Sequence, residues 1–240
     1  MSRGRLPYVT VLLPIVVACG GDDAPGLSDF FPDLPAPTGE AQAAFAGEVT
    51  SPDQLVPGPA VSGLVGDFFI KNDQATFIIQ APTRVIGVVP QGGNVVDAVL
   101  ADGSVQDHFG ELSLIYLLGR TCEPTRIEIV RDGAKGGVAA LRATGKSGNN
   151  DFINFKGIGV FPVAEDVDPD LDDGLDCATT YVLAPGSNTL EVHHSLFNPG
   201  EVLVAGPMGT LADTGGETEA WTNARGFERA DISAISSLGD

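Results

Sequence analysis

From residue 47 onward the apolar residues come in short runs about ten residues apart, and Gly, Pro, Asn or Asp separates nearly every run from the next. The 31 glycines and 17 prolines supply enough breaks to exclude long helices from this region. In GDFFIKNDQATFIIQAP two apolar segments flank Lys71-Asn72-Asp73-Gln74, which predicts a hairpin. RVIGVVP and NVVDAVL follow, divided by Gln91-Gly92-Gly93, and then ELSLIYLLG and TRIEIV. A turn at Asp132-Gly133 leads into GVAALRATG. After an acidic stretch come ATTYVLA and TLEVHHSLF, and Asn198-Pro199-Gly200-Glu201 turns into VLVAG. One short helical period, Asp231 to Leu238, carries apolar residues at 232, 235 and 238. The pattern predicts an all-β chain, an antiparallel β-sandwich spanning 47–228, with 229–240 as a C-terminal tail.

The N-terminus has a different character. Arg3 and Arg5 precede an apolar run from Leu6 to Ala18, and no acid occurs before Cys19. A positive segment followed by a short apolar one is a secretory signal. Thirteen helical residues would extend only about 20 Å, against about 30 Å for a hydrocarbon core, and Pro7 and Pro14 interrupt them. Residues 1–18 are therefore expected to be a leader rather than a permanent span.

Val16-Val17-Ala18-Cys19 resembles the lipobox of bacterial lipoproteins. The resemblance implies cleavage before Cys19, with diacylglycerol on its thiol and an acyl chain on the new amine. Several chains together give stable anchoring, because each buried CH2 contributes about 0.8 kcal/mol. In enteric bacteria an Asp after the lipidated Cys retains a lipoprotein at the inner membrane. Gly20 stands there in this chain, which implies the outer membrane of a Gram-negative cell envelope.

Residues 19–46 read as the lipidated Cys followed by a flexible tether rich in Gly, Pro and acids. Such a tether reaches roughly 30 Å root-mean-square. Within it DFFPDL, residues 29–34, stands out, and its two adjacent phenylalanines are expected to dock on the domain. Removing residues 1–18 leaves 11 basic against 32 acidic residues, a formal charge of −21. Nucleic acid and anionic headgroups are thereby excluded as partners. The 43% hydrophobic content still supports a packed core. With Cys19 acylated, Cys122 and Cys177 remain, and an exported pair predicts a disulfide between two strand ends.

GDFFIKNDQATFIIQ, GGNVVDA and the later TYVLAPG…L…NPGE resemble the β-rich N-terminal region of large secreted bacterial proteins. Some of those carry a metal-dependent hydrolase domain of the PHP (polymerase and histidinol phosphatase) type downstream. Related sandwiches resemble the mutarotase-like supersandwich of carbohydrate enzymes. The resemblance spans about residues 60–228 and rests on turn and core residues. No His-rich metal cluster of the PHP kind occurs in these 240 residues, so that activity is not carried over.

Three clusters could carry chemistry. Asp107-His108-Phe109-Gly110-Glu111 places His108 and Glu111 three apart, with Asp97 in the preceding strand. A His and two carboxylates could bind a metal or act in acid–base catalysis. The same residues equally describe a turn that satisfies backbone donors. His193 and His194 are adjacent and would point to opposite faces of a strand. They cannot share a metal, and His194 falls on the apolar face with Leu190, Val192 and Leu196. EDVDPDLDDGLD, residues 165–176, packs seven acids into twelve positions, with Asp168, Asp170 and Asp172 alternating. Alternating acids suit calcium, but the Gly is displaced and Thr180 stands where the last ligand belongs. Trp221, the single tryptophan, could be a sugar-stacking platform or the cover of a sheet edge.

No G-x-S-x-G elbow, P-loop or H-E-x-x-H occurs. The first expectation is a lipid-anchored envelope protein whose β-sandwich is a non-catalytic binding or scaffold module for carbohydrate or another envelope protein. The second is a carbohydrate-active or hydrolytic enzyme, or a shortened relative of one, using Asp97, His108 and Glu111. The third is a calcium-dependent adhesion module.

Overall fold

A computed structural model describes residues 9–12, 26–39, 43–86, 89–104, 107, 109–117, 119–149, 174–200, 204, 208–213, 219–222 and 226–229. Cys19, His108, Asp168, Asp170, Asp172, the 231–238 period and all of VLVAG except Val204 lie outside the described residues.

The chain is all-β. Strand β1 is Val9–Leu12, β2 Ala44–Glu48, β3 Phe68–Asn72, β4 Ala75–Ile79, β5 Val95–Leu100 and β6 Glu111–Tyr116. They are followed by β7 Arg120–Arg131, β8 Ala139–Asn149, β9 Asp176–Leu183, β10 Leu190–Phe197 and β11 Met208–Asp213. Strands β12 (Glu219–Thr222) and β13 (Gly226–Arg229) form a separate hairpin. β2 to β10 are antiparallel neighbours in sequence order, β11 pairs with β6, and β1 lies parallel to the far edge of β10. In this meander β2, β4, β6, β8 and β10 end, and β3, β5, β7 and β9 begin, at one end of the sheet. The turns 73–74, 132–138 and 184–189 lie at the other end, where β5 also ends and β6 begins.

A sheet with one apolar face must cover it, and this one does so by curling on itself. β2 and β3 lie over β7, β8 and β9, giving a sandwich-like arrangement. Ala46, Ile70, Phe77, Leu141, Tyr181, Leu183, Leu190 and Val192 from both halves meet in one buried core. Full burial of a Leu, Ile or Phe contributes roughly 1.5–3 kcal/mol, so this cluster dominates stability. The Tyr181 hydroxyl donates across the core to the Gly93 carbonyl at 2.6 Å. Gly133 adopts φ +83°, and a Cβ there would collide with the Ala44 carbonyl, so only glycine lets the β7–β8 turn close against β2.

Both outer faces carry covers. Residues 49–66 fold over β3, β4 and β5, where Val49, Val56, Ile78, Val96 and Val99 form a second cluster. Residues 26–39 cross the other outer face. Phe30 stacks on Phe197 with centroids 6.1 Å apart, and its carbonyl accepts the Ser195 hydroxyl at 2.9 Å. The Arg142 guanidinium lies 3.7 Å from the Phe31 ring centroid. Further on, the Gly39 N–H donates to the Lys135 carbonyl. The two phenylalanines of DFFPDL thus dock on the domain, and the stretch read as tether supplies both this cover and the first part of β2.

The remaining differences from the sequence reading are local. RVIGVVP forms no strand in its described residues, because Arg84 turns inward and holds the β4–β5 connection against residues 62–67. β11 arises from PMGTLAD, which carries no alternation; it forms a strand by pairing with β6. Cys122 sits inside β7 rather than ahead of it.

Cys122 and Cys177 are bonded, with Cα atoms 5.8 Å apart. The bridge borders a third apolar cluster of Leu114, Tyr116, Leu117 and Leu175. Its sequence separation is 55, and closing a loop of that size removes denatured-state entropy worth about 4 kcal/mol. Reduction, or Cys122→Ala/Cys177→Ala, should lower the melting temperature by about 10 °C in calorimetry. An unchanged melting temperature would show that the closed loop contributes nothing.

Candidate functional site

The sequence nominated Asp97 and Glu111, and the structure places both on the outer face of adjacent strands. Asp97 lies opposite Ile78, just beyond a register shift between Ile78 and Ile79. Without that shift it would share a face with Val95, in the apolar core. Glu111 precedes Leu112, which pairs with Val95, so the Glu side chain points away from the core.

Asp97 is fully buried beneath residues 57–64. Its Oδ1 accepts the Ser62 N–H at 2.7 Å and its Oδ2 the Gly63 N–H at 2.9 Å. Asp107 lies nearby, and its Oδ1 accepts the N–H groups of Ala98 and Phe109 at 3.0 and 3.2 Å. The backbone of Asp107 exchanges bonds with Pro57 and Ala60. Asp67, also fully buried, accepts the N–H groups of Leu64 and Ala81, both at 2.8 Å, and pairs with Arg84. Arg84 Nη2 reaches the Ser62 carbonyl at 2.6 Å.

Glu111 is engaged separately. Oε2 accepts the Val89 N–H at 3.1 Å, and Oε1 accepts Asn94 Nδ2 at 2.9 Å and the Ser113 hydroxyl at 2.7 Å. Asp97 and Asp107 therefore come together with Asp67 and Arg84 in one buried network, while Glu111 anchors the β4–β5 connection. Asp67 and Arg84 escaped sequence reading. Their only local signal was an Asp directly ahead of an apolar strand and an Arg in a run that otherwise read as strand.

Burial pushes the Asp97 carboxyl up to about 6. The Ser62 and Gly63 N–H groups and the Arg84 charge oppose that rise, and the Asp107 charge adds to it. Burial lowers the Arg84 guanidinium, and the Asp97 charge raises it.

The adjacent histidines separate as the strand period requires. His194 is buried in the core, with Nδ1 3.0 Å from the Thr179 hydroxyl and Nε2 3.3 Å from the Thr210 hydroxyl. Burial, aided by His193, lowers its pKa to about 4, so it is neutral at pH 7. His193 faces outward, with Nε2 3.5 Å from Glu191. Among the described residues no group of three or more His, Cys, Asp or Glu is placed to hold a metal ion. Trp221 lies in β12, in register with Phe227 of β13.

Asp97 and His194 should have opposite effects on acid stability. The raised Asp97 pKa means the folded state holds the extra proton between pH 4 and 6, so its contribution falls as pH rises through that window. The lowered His194 pKa means the unfolded state holds the extra proton between pH 4 and 6.5, so its contribution rises with pH. Each effect is on the order of 2 kcal/mol after solvent screening, and together they nearly cancel. Urea unfolding of Asp97→Asn should show stability rising from pH 4 to 6.5. His194→Gln should show it falling from pH 4 to 6. Parallel profiles for both variants would refute the assignment.

No family model, curated protein or solved structure matches this chain, so its functional reading rests on its own residues.

Proposed function

We propose that this is a lipid-anchored protein of the bacterial cell envelope, carrying a non-catalytic β-sandwich that serves as a binding or scaffold module. The observation that carries the non-catalytic part is the state of the nominated carboxylates. Both oxygens of Asp97 and both of Glu111 accept hydrogen bonds from groups of their own connections. A general acid or base must reach its substrate. Here Asp97 would first have to release Ser62 and Gly63, leaving two buried N–H groups unpaired at about 1–3 kcal/mol each. These residues hold the fold together, and the surface is left to recognise a carbohydrate or a protein of the envelope.

The lipobox VVAC, the basic leader and the apolar run support the anchor. The Cys122–Cys177 bridge supports export, since disulfides persist in oxidising compartments. Cleavage before Cys19 removes β1, whose pairing is with β10, and leaves β2 to β10 as a complete antiparallel sheet. The outer membrane follows from Gly20 by the enteric sorting rule.

Expression in a Gram-negative host with radiolabelled palmitate should label the protein, and Cys19→Ser should abolish the label. Equal labelling of the variant would overturn the lipid anchor. Hydrolysis of envelope glycans by the purified protein, lost in Asp97→Asn, would replace the binding module with the enzyme reading.

A further inference from the structure

We infer that the end of the sandwich bearing Leu64, Val65 and Val85 rests on a neutral, zwitterionic lipid surface, these aliphatic side chains entering its interface. The inference deepens the lipid-anchor reading and rests on it for the proximity of the membrane.

Four large hydrophobic side chains among the described residues are well exposed: Val85 at 75%, Leu64 at 56%, Val65 at 51% and Ile129 at 41%. The first three belong to one end. Leu64 and Val65 close the β2–β3 connection beside Asp67, and Val85 lies in the β4–β5 connection. The partly buried Arg84 joins these two segments, pairing with Asp67 and bonding the Ser62 carbonyl. The aliphatic tips are thus presented on a stapled support, so little conformational entropy is lost when they insert.

The chain from the anchor arrives at the same end. Phe30 and its carbonyl are fixed at Phe197 and Ser195, where β10 terminates, and Gly26 begins the short 3-10 turn that leads there. Only residues 20–25 separate Gly26 from Cys19. Seven Cα–Cα steps span at most about 25 Å. Docking of residues 26–39 therefore shortens the tether to a few residues and fixes which end of the domain meets the bilayer. Ile129 lies toward the opposite end of β7.

Charge selects the surface. The mature chain carries −21, with 11 basic against 32 acidic residues. An anionic leaflet would repel it, whereas neutral headgroups would not. Exposed aliphatic patches of this kind mark membrane or protein contacts, and the short tether selects the membrane.

The test uses tryptophan fluorescence in a Trp221→Phe background, with Val85→Trp and Leu64→Trp as reporters and Lys135→Trp, in the β7–β8 turn at the other end, as reference. The purified lipoprotein is reconstituted in phosphatidylcholine vesicles containing brominated chains. Bromolipid should quench both reporters at least threefold more than the reference, and less when phosphatidylglycerol replaces half of the lipid. Equal quenching at the two ends, or none at either reporter, would overturn the inference. Stronger quenching on the anionic vesicles would overturn the choice of a neutral surface. Palmitate labelling of the same preparations decides the anchor separately. If Cys19 carries no acyl chain, the anchor reading falls. The same comparison on protein coupled through Cys19 to a maleimide lipid then judges the aliphatic end with the same outcomes.

Discussion

Two buried carboxylates hold the β2–β3 connection of this protein in place. Asp67 and Asp97 accept backbone N–H groups from residues 62–64 and 81, and Arg84 supplies a cation within the same network. A connection of this length has more backbone donors than its own turns can satisfy. Placing carboxylates beneath it solves that problem and closes the second apolar cluster against β3, β4 and β5. The cost is a buried negative charge near Asp107, visible in the raised Asp97 pKa. The fold tolerates this because each charged oxygen meets an N–H aimed at it.

The opposite outer face is covered in another way. Residues 26–39 supply aromatic rings and a carbonyl rather than carboxylates, and β8 and β10 supply Arg142, Ser195 and Phe197 to receive them. One sheet thus acquires a core by curling and two outer covers from its own connections. Its edge at β2 is occupied in part by the β7–β8 turn, where the Ala46 N–H donates to the Asp132 carbonyl. The two covers meet at one end, because one begins and the other ends at the end of the sheet where β10 finishes.

Much of the architecture was legible along the chain. The hairpin around Lys71-Asn72-Asp73-Gln74, the opposite facing of His193 and His194, the bonding of Cys122 to Cys177 and the docking of Phe30 and Phe31 each follow from local pattern or composition. Asp97 and Glu111 were visible as unusual polar residues in apolar surroundings. Their partners were not, because Ser62, Gly63 and Val89 contribute only backbone N–H groups, which every residue but proline possesses. RVIGVVP misled because its apolar content is strand-like while its conformation is decided by Arg84 reaching back to Asp67.

The sequence by itself determined the class of fold and the pairing of the cysteines. These depend on spacing, turn residues and short-range alternation, all of which are local. Only the tertiary structure decided that Asp97 faces outward, that β11 joins β6, and that Phe30 and Phe31 dock on the outer face at Phe197 and Arg142. Each depends on a contact between positions far apart in the chain: a register shift against Ile78, pairing with the strand of Glu111 to Tyr116, and rings meeting Arg142 and Phe197. Local sequence carries no record of which distant strand will stand opposite.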